Sequence, residues 1–455
     1  MERGVGMPEK IVIIGAGAAG ASAAARARKL RPDAEITMID KGLFITHAPC
    51  GIPYYVEGAV KNAEDLAVYK PEEFAKDRNI NVLTNTEATS IDVDKRTINI
   101  KGPSGESSMA WDKLIIATGA RPIIPRMPGT ELRGVLSIRL PHEAPILKQE
   151  VEKASTIAVV GGGYIGLEMA EAVRSLGKRV AVFEMASHVF PTTFDNDMAQ
   201  LIHEELRRNG VELHLGDKVV ELRGSESVRS VVTETGTYDA ERVILAVGVR
   251  PDAEIAGKAG IRLTNSGAID VNEYMETSVE GIYAAGDAVE TWNAVTGRRT
   301  YIALAPPANK MGQVAGANAA KGRTLKFPGA LGTAITKVFN LYVARTGLTE
   351  EQAKAEGFKA VSATINSRTT AHYYPGGTKL TIKMVADEAT HRVLGVQVIG
   401  SEKVVAGYID TAAALIWRSA TIEDVFFADL SYAPPTAPVW HGLITAARVL
   451  SKGVL

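Results

Sequence analysis

A single cysteine stands in the 455-residue chain: Cys50, within Thr46-His47-Ala48-Pro49-Cys50-Gly51-Ile52-Pro53-Tyr54-Tyr55. One thiol cannot close an intramolecular disulfide. Redox chemistry here must pass through a thiolate, a sulfenic acid or a mixed disulfide with another molecule. Free cysteines are also among the most buried residues, where they merely pack. The neighbours favour the reactive reading. Pro53 suits the first turn of a helix. The thiol is then expected beside a helix N-terminus, where its pKa falls and a nucleophilic thiolate is available at neutral pH.

Two glycine-rich turns supply a second chemistry. Gly15-Ala16-Gly17-Ala18-Ala19-Gly20 and Gly161-Gly162-Gly163-Tyr164-Ile165-Gly166 share one spacing. The first glycine permits a tight turn, the second lets backbone approach a pyrophosphate, and the third allows close helix–strand packing. A helix opening at the turn offers N–H groups and a partial positive charge to phosphate. One such turn is a weak signal. Two, each with a strand, a helix and an acid in place, are a strong one.

The elements that must carry these residues are legible too. Lys10–Ile14 reads as a buried strand, followed by a helix to Leu30 and a strand from Ile36 to Ile39 that ends at Asp40. The same grammar returns as a strand from Thr156 to Val160, a helix to Leu176 and a strand from Arg179 to Phe183 that ends at Glu184. Short alternating strands fill the region between, around Asn81–Leu83, Ile91–Val93 and Thr97–Ile100, with a turn at Gly102-Pro103-Ser104-Gly105. Leu114-Ile115-Ile116-Ala117-Thr118-Gly119-Ala120-Arg121-Pro122 and Val243-Ile244-Leu245-Ala246-Val247-Gly248-Val249-Arg250-Pro251 extend the repeat. Ile282-Tyr283-Ala284-Ala285-Gly286-Asp287 is again strand into glycine turn. Beyond a linker at Phe327-Pro328-Gly329, strands over Leu380–Val385 and Arg392–Ile399 and a helix over Tyr408–Trp417 form a unit without a nucleotide signature.

Composition bounds the rest. The length suits two to four domains at roughly 100–200 residues each. A formal net charge of −1 sets up no global field for nucleic acid or a membrane surface. One cysteine fits a reducing, cytoplasmic setting rather than a secreted disulfide scaffold. The first ten residues are short and polar, unlike a secretory signal, and Met7 is a second candidate start. No apolar run reaches the ~18 residues of a membrane span.

These marks resemble the flavoprotein disulfide reductases with two dinucleotide-binding domains. The likeness rests on both glycine turns with Asp40 and Glu184, on Ala117-Thr118-Gly119 and on Ala285-Gly286-Asp287. Within that group, Ala48-Pro49-Cys50-Gly51-Ile52-Pro53-Tyr54, His372-Tyr373-Tyr374-Pro375-Gly376 and Ser431-Tyr432-Ala433-Pro434-Pro435 look like coenzyme A disulfide reductases and the related NAD(P)H:sulfur oxidoreductases and NADH oxidases. The CxxxxC pair of glutathione reductase-like members is absent, as is the histidine that peroxidase-like members carry in the first glycine turn.

The resemblance implies an α/β fold of two Rossmann-like domains, for FAD and NAD, plus a C-terminal α+β dimerisation domain. The implied division is 8–150 and 248–326 for FAD, 151–247 for the nicotinamide nucleotide, and 328–455 for dimerisation. It implies FAD on Gly15, Gly17, Ala18 and Gly20, with Asp40 on the ribose and Lys41, Thr118, Gly119, Gly286 and Asp287 beside it. Asp287 also fits a helix cap. Arg121 is either a flavin contact or a solvated loop residue. Gly161, Gly163, Ile165, Gly166 and Gly248 would hold the nicotinamide nucleotide. Glu184 would bind the 2′-hydroxyl and repel a 2′-phosphate, favouring NADH, with NADPH the alternative. His188 complicates that assignment.

Ser22, Arg26 and Lys29 fall at i, i+4 and i+7 and share a helix face. The cations would suit coenzyme A phosphates, or equally a solvated face. Thr46, Lys70 and Trp440 join them as expected substrate contacts. Cys50 is the implied nucleophile. Tyr373 and Tyr432 are implied to act across the interface of a homodimer with shared active sites. The expected reaction is FAD-dependent reduction of coenzyme A disulfide by NAD(P)H through Cys50–S–S–CoA. Polysulfide or CoA-persulfide reduction, NADH oxidation with Cys50 as a sulfenic acid, and a redox-sensing flavoprotein are the alternatives. No metal, nucleic acid or membrane is expected.

Overall fold

The computed structural model describes residues 8–451. The Met7 start and most of the polar N-terminal stretch lie outside the described residues. Two five-stranded parallel sheets share one plan. The first runs Ile282–Ala284, Lys113–Ile116, Lys10–Ile14, Glu35–Ile39, Asn81–Leu83. The second runs Val135–Ser137, Arg242–Leu245, Thr156–Val160, Arg179–Glu184, Val211–Leu215. In each, the strand feeding the glycine turn lies between the acid-bearing strand and the strand of the second repeat motif. Ligands of open parallel sheets bind beyond the carboxyl ends of the strands, and both glycine turns lie there. The second sheet takes its edge strand from upstream of residue 151.

The strands are continuous apolar runs because both faces are covered, by helices and by two three-stranded antiparallel sheets, Glu87–Asp92 with Thr97–Gly102 and Gly105–Ala110 on the first and Val219–Gly224 with Val228–Thr233 and Thr237–Asp239 on the second. Helix Ala18–Leu30 buries its alanines against helix Ala305–Lys321. Small residues let the two backbones approach: a Cβ at Gly312 would stand 2.1 Å from the Ala19 carbonyl oxygen, and one at Gly316 2.2 Å from that of Ala23. The two similar loops found in the sequence pair with each other, Ala120–Pro122 antiparallel to Val249–Pro251. They fasten the two nucleotide-binding sheets together.

The C-terminal unit is an antiparallel sheet ordered Ala334–Val338, Leu341–Gly347, Val393–Gly400, Lys379–Asp387, Ala360–Arg368. Helices Val404–Trp417, Ile422–Phe426 and Gly442–Leu450 pack with it around Leu380, Ile382, Val398, Ile409 and Leu443. The chain is therefore α/β with an α+β C-terminal unit, as the sequence implied. No helix among the described residues is long and apolar enough to cross a membrane.

Candidate active site

A cleft of about 2150 Å³ joins the two glycine turns. Pockets for one small ligand measure roughly 300–1,000 Å³, so this one has room for more than one. Gly15, Gly17, Ala18, Ser22, Asp40, Lys41, Thr46, Cys50, Thr118, Gly119, Arg121, Gly286 and Asp287 line one part of it. Gly161, Gly163, Ile165, Glu184 and Gly248 line another.

The glycines divide by role. A Cβ at Gly15 would sit 2.2 Å from the Ala117 oxygen, and one at Gly161 2.4 Å from the Ala246 oxygen. Gly20 and Gly166 do not line the cleft. Their Cβ atoms would fall 1.8 Å from the Gly15 oxygen and 2.0 Å from the Gly161 oxygen. They pack helix against turn, the role that the third glycine of each turn was expected to play. Gly163 has nothing within 4 Å of its added Cβ, and Gly17 only the His47 ring at 3.9 Å. Both middle glycines thus leave the space in front of a helix N-terminus clear.

Asp40 and Glu184 shape these turns. The Asp40 carboxylate accepts from the backbone N–H groups of Ala16 (2.7 Å) and Gly42 (2.8 Å). Glu184 accepts from Gly162 (2.8 Å) and Ala186 (2.9 Å). A carboxylate has about four lone-pair directions, so each keeps acceptor capacity toward the cleft. His188 is buried, its Nδ1 3.0 Å from the Val189 carbonyl oxygen, and does not line the cleft.

Asp287 lies in a single 3₁₀ turn, Gly286–Ala288, rather than at the start of a longer helix. Its expected role as a helix cap is thereby corrected. Burial raises its pKa, and Arg139 works against the rise. Arg139 lines the cleft and its charge is also felt at His47 and Tyr301. The uncrowded glycine turns, the helix N-termini and this buried carboxylate fit dinucleotides.

Cys50 sits in the turn Pro49–Gly51 directly before helix Ile52–Glu57, with Pro53 in that helix's first turn. The placement beside a helix start agrees with expectation, but the pKa does not. Although Cys50 is open to the cleft, the surrounding protein partly desolvates its sulfur and raises its pKa, and the Glu168 carboxylate raises it further. A short helix start is outweighed by desolvation and a like charge. The thiolate fraction at neutral pH is accordingly small, although a thiolate of higher pKa is the stronger nucleophile. Thr46 adopts φ +47, a conformation rare for a β-branched residue. It is held by its amide bond to the Ala16 oxygen (2.8 Å) and by accepting at Oγ1 from the Tyr69 amide (3.0 Å).

Other expectations separate. Arg121 is partly exposed at the edge of the cleft and pairs with Asp252 (3.6 Å) and Glu254 (3.1 Å). Lys41 meets the same Asp252 at 3.7 Å. Of the basic helix face, only Ser22 reaches the cleft, and its hydroxyl donates to Asn309 (2.7 Å). Arg26 is half-buried with its Nε unpartnered, and Lys29 and Lys70 are exposed outside the cleft lining.

Tyr373 and Tyr432 meet each other, hydroxyl to hydroxyl at 3.3 Å, 71% and 46% exposed. Neither lines the cleft of its own chain, and nor does Trp440, which Arg448 covers at 4.9 Å. Phe427 and Val439 are further exposed apolar residues of the C-terminal unit.

The sequence reading missed Glu168, Arg139 and Arg78. Glu168 lies one helical turn after Tyr164, lines the cleft and accepts from the Thr336 hydroxyl at 2.6 Å. Burial raises its pKa. Its i, i+4 spacing from Tyr164 was the available signal. Arg78 lines the cleft over the rings of Tyr69 and Phe74 at 4.7 and 4.3 Å. Among the described residues no cluster of three or more His, Cys, Asp or Glu could hold a metal.

Residues 9–312 match the model of the pyridine nucleotide-disulphide oxidoreductase family, and residues 333–443 that of its dimerisation domain. The chain is 45% identical over 449 residues to the NAD(P)H coenzyme A polysulfide/persulfide reductase of Pyrococcus horikoshii, covering 98% of this chain and 99% of that one. It superposes on an NAD-dependent persulfide reductase from A. fulgidus with TM-score 0.94 at 38% identity, covering 97% of this chain and 83% of that one. The reduced CoADR-RHD protein of Bacillus anthracis gives TM-score 0.95 at 34% identity, covering 98% and 81%.

Proposed function

The chain belongs to the pyridine nucleotide-disulphide oxidoreductase family, and on that premise we propose that it reduces sulfur carried on coenzyme A. NAD(P)H is the electron donor, FAD the intermediary and Cys50 the nucleophile. The observation that carries this reading is the lone thiol, exposed in the same cleft as both nucleotide turns. The names of the similar proteins support a CoA-linked polysulfide or persulfide as substrate.

In this reading residues 8–150 and 248–326 hold FAD, 151–247 the nicotinamide nucleotide, and 328–455 join two copies into a homodimer. FAD would lie along Gly15, Gly17, Ala18, Asp40, Thr118, Gly119 and Asp287. The nicotinamide nucleotide would lie along Gly161, Gly163, Ile165, Glu184 and Gly248. When bound, the flavin relays two electrons from nicotinamide to sulfur; the protein supplies orientation and electrostatics.

Cys50 attacks the CoA-side sulfur of CoA persulfide. The S–S bond breaks, hydrosulfide leaves and Cys50–S–S–CoA forms. Two electrons and one proton then return a Cys50 thiolate and free coenzyme A thiol. The sum is CoA persulfide plus NADH plus a proton, giving CoA, hydrogen sulfide and NAD⁺. Glu168 disfavours the free Cys50 thiolate, which makes the thiolate a more reactive nucleophile toward sulfur.

CoA disulfide is the second reading. It passes through the same mixed disulfide with coenzyme A thiolate as the leaving group, and the B. anthracis likeness favours it. Steady-state NADH oxidation with CoA persulfide, polysulfide plus CoA, CoA disulfide and oxygen, run in parallel, tests the proposal. The highest kcat/KM should fall on CoA persulfide or CoA-dependent polysulfide. A clear preference for oxygen would overturn it, and a preference for CoA disulfide would select the second reading.

A further inference from the structure

Asp195 stands at the N-cap position of helix Asn196–Arg208, yet its side chain does not cap that helix. An aspartate there ordinarily accepts from the helix's own first turn. Here the carboxylate crosses to the C-terminal unit. It accepts from the Gln397 amide (2.6 Å) and from the backbone N–H groups of Glu350 (3.1 Å) and Glu351 (3.4 Å). Lys383, 6% exposed, lies 3.4 Å away and also meets Asp197 and Glu350. The Asp195 amide in turn donates to Gln397 at 3.0 Å.

Beside it, Gln352 repeats the arrangement. Its Nε2 donates to the Thr192 carbonyl oxygen at 2.8 Å. Its Oε1 accepts from the Thr349 amide (3.0 Å) and from buried Arg345 (3.3 Å). Two polar side chains, one from each unit, thus grip the segment Phe190–Asp195 from behind.

The front of that segment faces the second glycine turn. Pro191 and Thr192 line the cleft beside Gly161, Gly163 and Glu184. The Phe190 amide donates to the Gly162 carbonyl oxygen (2.9 Å), with Phe190 at φ +52. The Phe190 ring rests on Tyr164 at 4.7 Å. Val189 packs so near that a Cβ at Gly162 would come within 3.2 Å of it. The C-terminal unit, through helix Glu350–Ala355 and the sheet residue Gln397, therefore backs one wall of a site formed by another unit.

We propose that Gln352 and Asp195 are positioning residues for the nicotinamide nucleotide, through which the C-terminal unit sets the affinity of the second glycine turn. The inference rests on the reading that this turn holds NADH. Holding a segment in its bound conformation before the ligand arrives raises affinity by lowering the ordering cost of binding. It does not touch the reacting atoms, so the effect belongs in NADH binding and not in turnover at saturation.

Gln352→Met keeps the length of the side chain and removes both amide functions. In the FAD-loaded dimer, the Kd and KM for NADH should rise about tenfold with kcat at saturating NADH within about twofold. Asp195→Asn should act in the same direction. NADH affinity unchanged in folded Gln352→Met protein overturns the proposal. Coupling is reciprocal, so a measurement on the unmutated enzyme is independent of variant folding. Saturating NADH should slow hydrogen exchange at the Glu350 and Glu351 amides, and no added protection there overturns the proposal as well. NADH failing to bind the unmutated enzyme at all would remove both this inference and the reading beneath it.

Discussion

Asp40 and Glu184 hold equivalent posts in the two halves: each carboxylate accepts from the middle of its own glycine turn, at Ala16 and Gly162, and from the residue two places after itself. The acid therefore does two things. It pins the turn proposed to receive pyrophosphate, and it presents negative charge where the proposed ribose would lie.

Glu184→Ala should for that reason change more than cofactor choice. Removing the charge relieves repulsion of a 2′-phosphate, while losing two charge-assisted bonds loosens the turn. A hydrogen bond to a charged group is worth about 1.5–3 kcal/mol. We expect kcat/KM for NADH to fall by at least ~10-fold, NADPH to lose less, and the ratio between them to narrow. Steady-state kinetics with both nucleotides check this. An unchanged NADH value would separate Glu184 from nucleotide binding.

The glycines allow a paired comparison. Gly166→Ala drives a methyl into the Gly161 carbonyl, and overpacking of this kind costs about 1–3 kcal/mol. Gly163→Ala meets no protein atom within 4 Å, so its stability should lie within ~0.5 kcal/mol of the unmutated enzyme. Its added methyl occupies the space proposed for phosphate, so NADH affinity should drop. Denaturant melts and NADH titrations of both variants would contradict the scheme if Gly163→Ala proved the less stable one.

Much of this was legible in the sequence because it is local. A glycine turn, its strand, its helix and its acid lie within one βαβ unit, and hydrophobic runs mark the strands. The two similar Arg-Pro loops were legible as a repeat, although not as a pair that binds the sheets together. What failed depends on residues far apart in the chain. Arg121 read as either a flavin contact or a solvated loop residue, and its carboxylate partners Asp252 and Glu254 were not legible. Ser22 was legible on a helix face, but its bond to Asn309, 287 residues away, was not. The helix start before Ile52 suggested an acidic thiol, but Glu168 arrives from another sheet's helix and, with burial, reverses the sign.

That reversal is measurable. Iodoacetamide alkylates the thiolate, and with one cysteine the signal has one source. In flavin-free protein the midpoint of the alkylation rate against pH should lie above the free-thiol range, because the group is suppressed as an anion by burial and by Glu168. Glu168→Gln removes the like charge and should move the midpoint to lower pH. A midpoint near or below neutrality in the unmutated protein would contradict the arrangement seen here.

Tyr373 and Tyr432 share a hydrogen bond on an exposed face and do not line their own cleft. If they serve catalysis, they serve a partner's site. A single positioned donor to a departing thiolate is worth ~10²–10³ in rate, and either hydroxyl can substitute for the other, so the double Phe variant should be slower than each single one. Purified heterodimers of Cys50→Ser with Tyr373→Phe/Tyr432→Phe subunits should recover one intact site. Activity no higher than that of the tyrosine double mutant would place the hydroxyls outside the partner's chemistry.

The central claim is that all sulfur chemistry passes through Cys50. Its direct test is Cys50→Ser in the FAD-loaded enzyme, assayed with NADH against CoA persulfide and, separately, against an artificial electron acceptor. The chain has no second thiol to substitute. The account predicts that sulfur reduction falls to background while NADH oxidation by the artificial acceptor persists. Substantial CoA persulfide or CoA disulfide turnover by Cys50→Ser would contradict it.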